Sequence, residues 1–145
     1  MKSYLFNLSL SLLLLVASFS FAQNPNEIQF KRLTHKFKRI DEGKQLTFDY
    51  TFTYSGTTKL KITHQEVDCS CTEVILPQSN IESGTTYTVT IKFDTNHKIG
   101  YQERDVVLVF TPAEGNSQSI KKKLTFKGTV KASAATKSAY KKQKK

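Results

Sequence analysis

The sequence predicts an all-β fold, a two-layer antiparallel sandwich of about seven strands. Three observations predict it. Apolar residues recur at every second position over long stretches, which is the period of a strand whose two faces meet different surroundings. Gly-, Asn- and Asp-containing turn signals separate these stretches at short intervals, the spacing of a sandwich rather than of a sheet crossed by helices. Residues 23–130 have almost no apolar repeat near 3.6 residues, so helices contribute little to the expected core.

The elements follow in order. Phe30 and Phe37 mark one or two short opening strands, and Asp41-Glu42-Gly43 is a turn. Leu46, Phe48, Tyr50, Phe52 and Tyr54 then alternate with Gln45, Thr47, Asp49, Thr51 and Thr53, a strand with one buried face. After Ser55-Gly56, Leu60 and Ile62 open a second long strand. Tyr87, Val89, Ile91 and Phe93 share a register beyond the Ser83-Gly84 turn, and Asn96 to Gly100 ends that run. Val106 to Phe110 is apolar on both faces, which places it centrally in a sheet. Pro112 to Asn116 is the next turn, and Ile120, Leu124 and Phe126 share a register in the last strand, interrupted by Lys122.

The ends of the chain differ from this body. Lys2, the Leu-rich run Leu5 to Val16 and the small residues Ser20 and Ala22 form the three-part pattern of a secretory signal peptide, residues 1–22. The apolar run is shorter than the 18–20 residues that span a bilayer, so cleavage after Ala22 is expected, with no transmembrane span afterwards. Residues 131–145 carry six lysines and no acid, too little apolar material to offset ordering entropy. A disordered basic tail is expected there. The domain between, residues 23–130, holds 15 basic and 12 acidic residues, whereas the whole chain carries +10.

At 145 residues with two cysteines, the chain excludes a barrel enzyme of about 250 residues, a multi-disulfide scaffold and a four-cysteine zinc module.

Several motifs together carry a family resemblance over residues 37–130. Glu42-Gly43 precedes the aromatic strand Phe48 to Phe52, and Tyr54-Ser55-Gly56 precedes the aliphatic Leu60-Lys61-Ile62. Cys69-Ser70-Cys71-Thr72 is the most specific element, followed by Ile81 to Gly84, Phe93-Asp94-Thr95 and Gly100. In these features the chain resembles the secreted bacterial family known as domain of unknown function 1573. Tyr54, Ser70 and Ser83 stand where that family usually has Asn, Gly and Pro. The resemblance implies an immunoglobulin-like, PapD-like sandwich and export, and it implies little about function.

Cys69 and Cys71 are the unusual chemistry. Fully extended, their Cα atoms would lie about 6.6 Å apart, near the upper limit for a disulfide, so a bridge requires the chain to curl at Ser70. Three readings stand. One is a local structural disulfide or a pair of partly buried thiols. The second is a soft-metal site for copper or zinc, which needs a further ligand: His64, or more weakly Asp68 or Glu73. The third is a redox pair, although the spacing is not Cys-x-x-Cys and no helix N-terminus is predicted beside it.

His64 is in register with Leu60 and Ile62 and is expected to be partly buried. His35 and His97 lie in basic or turn contexts and are expected to face solvent. Asp94, Glu103 and Asp105 could meet near a turn as a carboxylate pair, but nucleophile-elbow, zinc-protease and phosphate-loop motifs are missing from the sequence, and no catalytic residue or cofactor is assigned. The expected function is that of an exported, periplasmic or secreted, non-catalytic module that binds a protein or an envelope component. The alternative is a metal-binding or thiol-redox protein. The Lys-rich tail could touch an anionic surface; with Tyr140 the one aromatic residue in it, nucleic acid is not an expected partner.

Overall fold

The computed structural model describes residues 27–78, 80–115 and 118–143. The expected signal peptide, residues 1–22, lies outside the described residues. The described residues form nine strands and a helix: β1 (Ile28–Phe30), β2 (Thr34–Lys36), β3 (Ile40–Asp41), β4 (Gln45–Tyr54), β5 (Leu60–Val67), β6 (Thr72–Ile75), β7 (Thr86–Asp94), β8 (Gly100–Pro112), β9 (Ile120–Lys131) and α1 (Ala134–Gln143). One sheet has the order β1-β4-β7-β6, and the other β2-β9-β8-β5 with β3 also on β9. The all-β sandwich is therefore present, with nine strands instead of about seven. The difference lies in the opening segment, where β1 pairs with β4 in the first sheet while β2 and β3 pair with β9 in the second. Those last two pairings are parallel, so the second sheet is mixed and not wholly antiparallel.

Alternation dictates the core. Phe48, Tyr50, Phe52 and Tyr54 of β4 and Val89, Ile91 and Phe93 of β7 are buried. They face Val106, Leu108 and Phe110 of β8 and Leu124, Phe126 and Val130 of β9. Aromatic rings join the layers: Phe48 stacks on Phe126 at 5.1 Å, Phe93 lies 5.0 Å from Phe126, and Phe52 meets Phe110 edge-on at 5.5 Å. Each such ring brings roughly 1.5–3 kcal/mol of burial together with the pair geometry aromatic rings prefer. Tyr50 adds a polar link, its hydroxyl donating to the Thr125 carbonyl at 2.7 Å. Burial pushes the Tyr50 phenol well above the usual tyrosine range.

β8 sits between β9 and β5, the central place its doubly apolar run predicts. On β9, Lys121 and Lys123 point outward to Glu66 and Asp105, while Lys122 shares the inward register with Leu124 and is half-buried, which lowers its pKa. Gly128 lies where Phe37 crosses β9, and a Cβ there would come within 2.5 Å of the Phe37 ring and carbonyl.

The disordered tail expected from residue 131 is corrected at both of its described parts. Lys131 ends β9, pairing with Asp41 in register and by a 3.0 Å ion pair. Residues 134–143 form α1, none of them buried. Ser133 supplies the N-cap, its hydroxyl accepting the Thr136 N–H at 3.1 Å, and alanines follow. The helix is held at its first turn rather than by an apolar face.

Candidate interaction surfaces and the cysteine turn

β5 leaves the second sheet and β6 enters the first through the cysteine turn. Thr72 N–H donates to the Cys69 carbonyl at 3.1 Å, closing a four-residue turn centred on Ser70 and Cys71. The curl brings the two Cα atoms to 5.2 Å, and Cys69 and Cys71 are joined in a disulfide. Thr72, itself buried, sets its hydroxyl 3.9 Å from the Cys69 sulfur and 4.0 Å from that of Cys71.

The other residues weighed as ligands are engaged elsewhere or face away. Asp68 accepts the Asp105 N–H at 3.1 Å, where β8 runs on past its pairing with β5. Glu73 pairs with Lys92 across β6 and β7 at 3.5 Å. His64 is exposed, which corrects its expected partial burial. A bulge between Ile62 and His64 breaks the alternation, so Gln65 takes the inward position opposite Leu108. Bulges of this kind depend on the paired strand and turn every later side chain to the other face. Among the described residues, no three His, Cys, Asp or Glu side chains group as a metal site would require.

His35 also departs from expectation, being half-buried instead of solvent-facing. Its ring packs edge-on against Tyr50 at 4.7 Å, and Nε2 lies 3.0 Å from the Asp49 carbonyl. It thereby closes part of the β4 edge that the short β1 leaves uncovered. His97 is 96% exposed, in a left-handed backbone conformation at φ 56°.

The three carboxylates considered as a pair separate by sheet. Glu103 and Asp105 share the outer face of β8, whereas Asp94 ends β7 in the other layer. Bonds from the Tyr101 hydroxyl and then from Lys127 lower the Glu103 pKa. The Thr125 hydroxyl, then Lys123, lowers that of Asp105. Asn96 does so for Asp94, through its backbone N–H and then its side-chain amide. A general acid at neutral pH needs the opposite displacement. These groups are fixed charged acceptors.

Glu42 is the residue sequence reasoning passed over, as part of a turn. Its side chain is 7% exposed. The carboxylate accepts the Ser133 N–H at 3.0 Å, the Thr136 hydroxyl and the His97 N–H at 3.1 Å. The Thr136 hydroxyl first and the Ser133 N–H next hold its pKa below the usual glutamate range. An open groove of about 400 Å³ runs between α1 and His97, with Ala135, Ala139 and Tyr140 in its wall and no carboxylate or cysteine lining it.

The layers, their edges and the early crossing between them define a PapD-like, immunoglobulin-like β-sandwich. The chain belongs to the family described as protein of unknown function (DUF1573), which matches residues 28–130. That match starts at β1, before the residue-37 start of the motif resemblance. No curated protein matches the chain.

Solved structures carry the same fold. The ASH/PapD-like domain 7 of human CEP192 superposes with a TM-score of 0.65 at 12% identity, over 79% of this chain and 92% of that one. The Vibrio cholerae VesB protease gives 0.55 at 15% identity, over 72% of this chain and 32% of that one. The periplasmic chaperone SfaE gives 0.54 at 12% identity, over 71% and 57%. The chain thus spans about a third of VesB and little more than half of SfaE. Among the described residues no helix is long and apolar enough to cross a membrane.

Proposed function

We propose that this protein is an exported, non-catalytic interaction module that engages a protein or cell-envelope component through a free sheet edge. The observation that carries this reading is the β6 edge. Among the described residues β6 pairs with β7 on one side only, and the Asp94 N–H to Cys71 carbonyl bond at 2.9 Å fixes the hydrogen-bond alternation of that pair. In that alternation the backbone N–H and C=O of Val74 point away from β7. Beside them Ile75 is 42% exposed, so a partner strand would find backbone groups and an apolar side chain together. The displaced carboxylates, all held as charged acceptors, support a contact role over acid–base chemistry. The N-terminal pattern of residues 1–22 supports export.

Val74→Pro tests the reading, because it removes the outward N–H without deleting a β6–β7 bond. Captured envelope partners should be lost while the strand signal in circular dichroism is kept. Unchanged capture overturns the edge. Turnover of a substrate, abolished by a point change in a groove residue, overturns the non-catalytic role.

A further inference from the structure

A second surface lies on the other side of the sandwich. Lys31, Arg32, Lys36, Lys38 and Arg39 put five cations into nine residues, and all five are exposed. Among the described residues, none of the ion pairs uses any of them. The local fold explains their exposure. The segment is tied to the first sheet by Lys31 N–H to the Thr51 carbonyl at 2.9 Å. It is tied to the second by Thr125 N–H to the Leu33 carbonyl at 2.8 Å and Phe37 N–H to the Lys127 carbonyl at 2.9 Å. His35 and Phe37 turn inward onto Phe48. Alternation then turns Lys36 and Lys38 outward. The chain bends at Lys31 and at Leu33 as it crosses and then runs beside β9 from Thr34, so the cations follow a bent line around that side of the sandwich.

The line continues into α1. β3 follows Arg39 directly, and Glu42 grips Ser133 and Thr136 at the start of the helix. Lys137, Lys141 and Lys142 are exposed on that helix. Lys137 stands close enough to Asp41 to help lower its pKa, after the larger effect of Lys131. The two ends of the described chain thus form a basic track, interrupted at β3 by Asp41, which pairs with Lys131 at 3.0 Å. The neighbouring outer face of the second sheet is charge-balanced instead, by Lys121–Glu66, Lys123–Asp105 and Lys127–Glu103 at 3.0–3.2 Å.

We propose that this track docks a linear anionic polysaccharide. A narrow chain of carboxylate or sulfate groups can follow the line of cations. A bilayer surface is broad and would also meet the carboxylates of the balanced face beside it. Single-stranded nucleic acid normally adds stacking on a series of aromatic rings, and along the track among the described residues Tyr140 of α1 is the one exposed ring. The proposal uses other atoms than the β6 edge and stands if that reading fails.

The test is binding of polygalacturonate by the full chain at low and high salt, with neutral dextran, phosphatidylglycerol vesicles and duplex DNA as parallel arms. Replacing all five crossing-segment cations with Gln should weaken polygalacturonate binding by about tenfold or more. Lys36→Gln/Lys38→Gln gives a smaller loss in a variant with less perturbation. Lys121→Gln/Lys123→Gln also removes two charges, but from the balanced face, and should change binding less than twofold. Salt should abolish binding in the native chain. Equal losses from the two double variants would show a response to net charge alone and overturn the track. Salt-insensitive binding, or preference for vesicles or DNA at equal anionic charge, would overturn it too.

Discussion

The Glu42 carboxylate receives the Thr136 hydroxyl across 94 residues of sequence and so fastens a helix with no buried residue to the sandwich. A ten-residue helix is marginal alone, so this anchor is what should order it. Glu42→Gln keeps the side-chain shape and removes the charge. Amide protection in α1 should fall to that of a free peptide, while the melting temperature of the sandwich barely moves. The pH dependence has a definite sign. The folded pKa of Glu42 lies below its ordinary value, so the anchor is complete above about pH 4.3 and is lost as pH falls through the lower folded value. Hydrogen exchange in α1 should therefore be constant from pH 7 to 5 once corrected for intrinsic rates. Undocking within that window would contradict the anchor.

Tyr50→Phe isolates the hydroxyl that bridges the layers. It leaves the ring in place and strips the Thr125 carbonyl of its 2.7 Å donor. The expected loss is about 1–2 kcal/mol, read as a lower urea midpoint at unchanged slope. A neutral result would mean that the carbonyl finds water, and that the two sheets are joined by apolar contact alone at that point.

What could be read from the sequence, and what could not, divides along physical lines. The β4 and β7 registers were legible because one buried face imposes a strict two-residue period on Phe48 to Tyr54 and on Val89 to Phe93. The β5 register was not, since the bulge after Ile62 depends on how β8 pairs, and local sequence does not encode it. His64 and Gln65 exchanged faces as a result. The curl required at Ser70 was legible from spacing alone. For α1 the cap was local, Ser133 with Thr136, but its anchor was Glu42, far away in sequence. The crossing-segment cations were visible as letters. That no ion pair among the described residues uses them became visible only beside the paired Lys121, Lys123 and Lys127 of the neighbouring face.

Gln65 carries the cost of that bulge. Its Oε1, opposite Leu108, is buried with no hydrogen-bond partner among the described residues. An unsatisfied buried acceptor costs about 1–3 kcal/mol. Gln65→Leu should therefore stabilise the protein by about 1 kcal/mol, after allowing for imperfect packing of the branched side chain. Guanidinium unfolding measures it. Destabilisation would show that the amide N–H₂ makes contacts worth more than the stranded oxygen costs.

The cysteine turn offers the last test, because two forces hold it and they can be separated. The disulfide closes a loop of only three residues, for which chain entropy supplies about 1.5 kcal/mol. The Thr72 N–H to Cys69 carbonyl bond holds the same turn without sulfur. Cys69→Ser/Cys71→Ser should therefore retain the sandwich and lose about 1.5 kcal/mol. Native protein kept in dithiothreitol should unfold at the same urea concentration as the variant. Asp68, bonded to Asp105 N–H from the residue before Cys69, should keep the turn docked on β8 in both. Unfolding of the variant at room temperature would make the bridge the organiser of the β5–β6 passage. An unchanged midpoint would leave the backbone turn as the sole support.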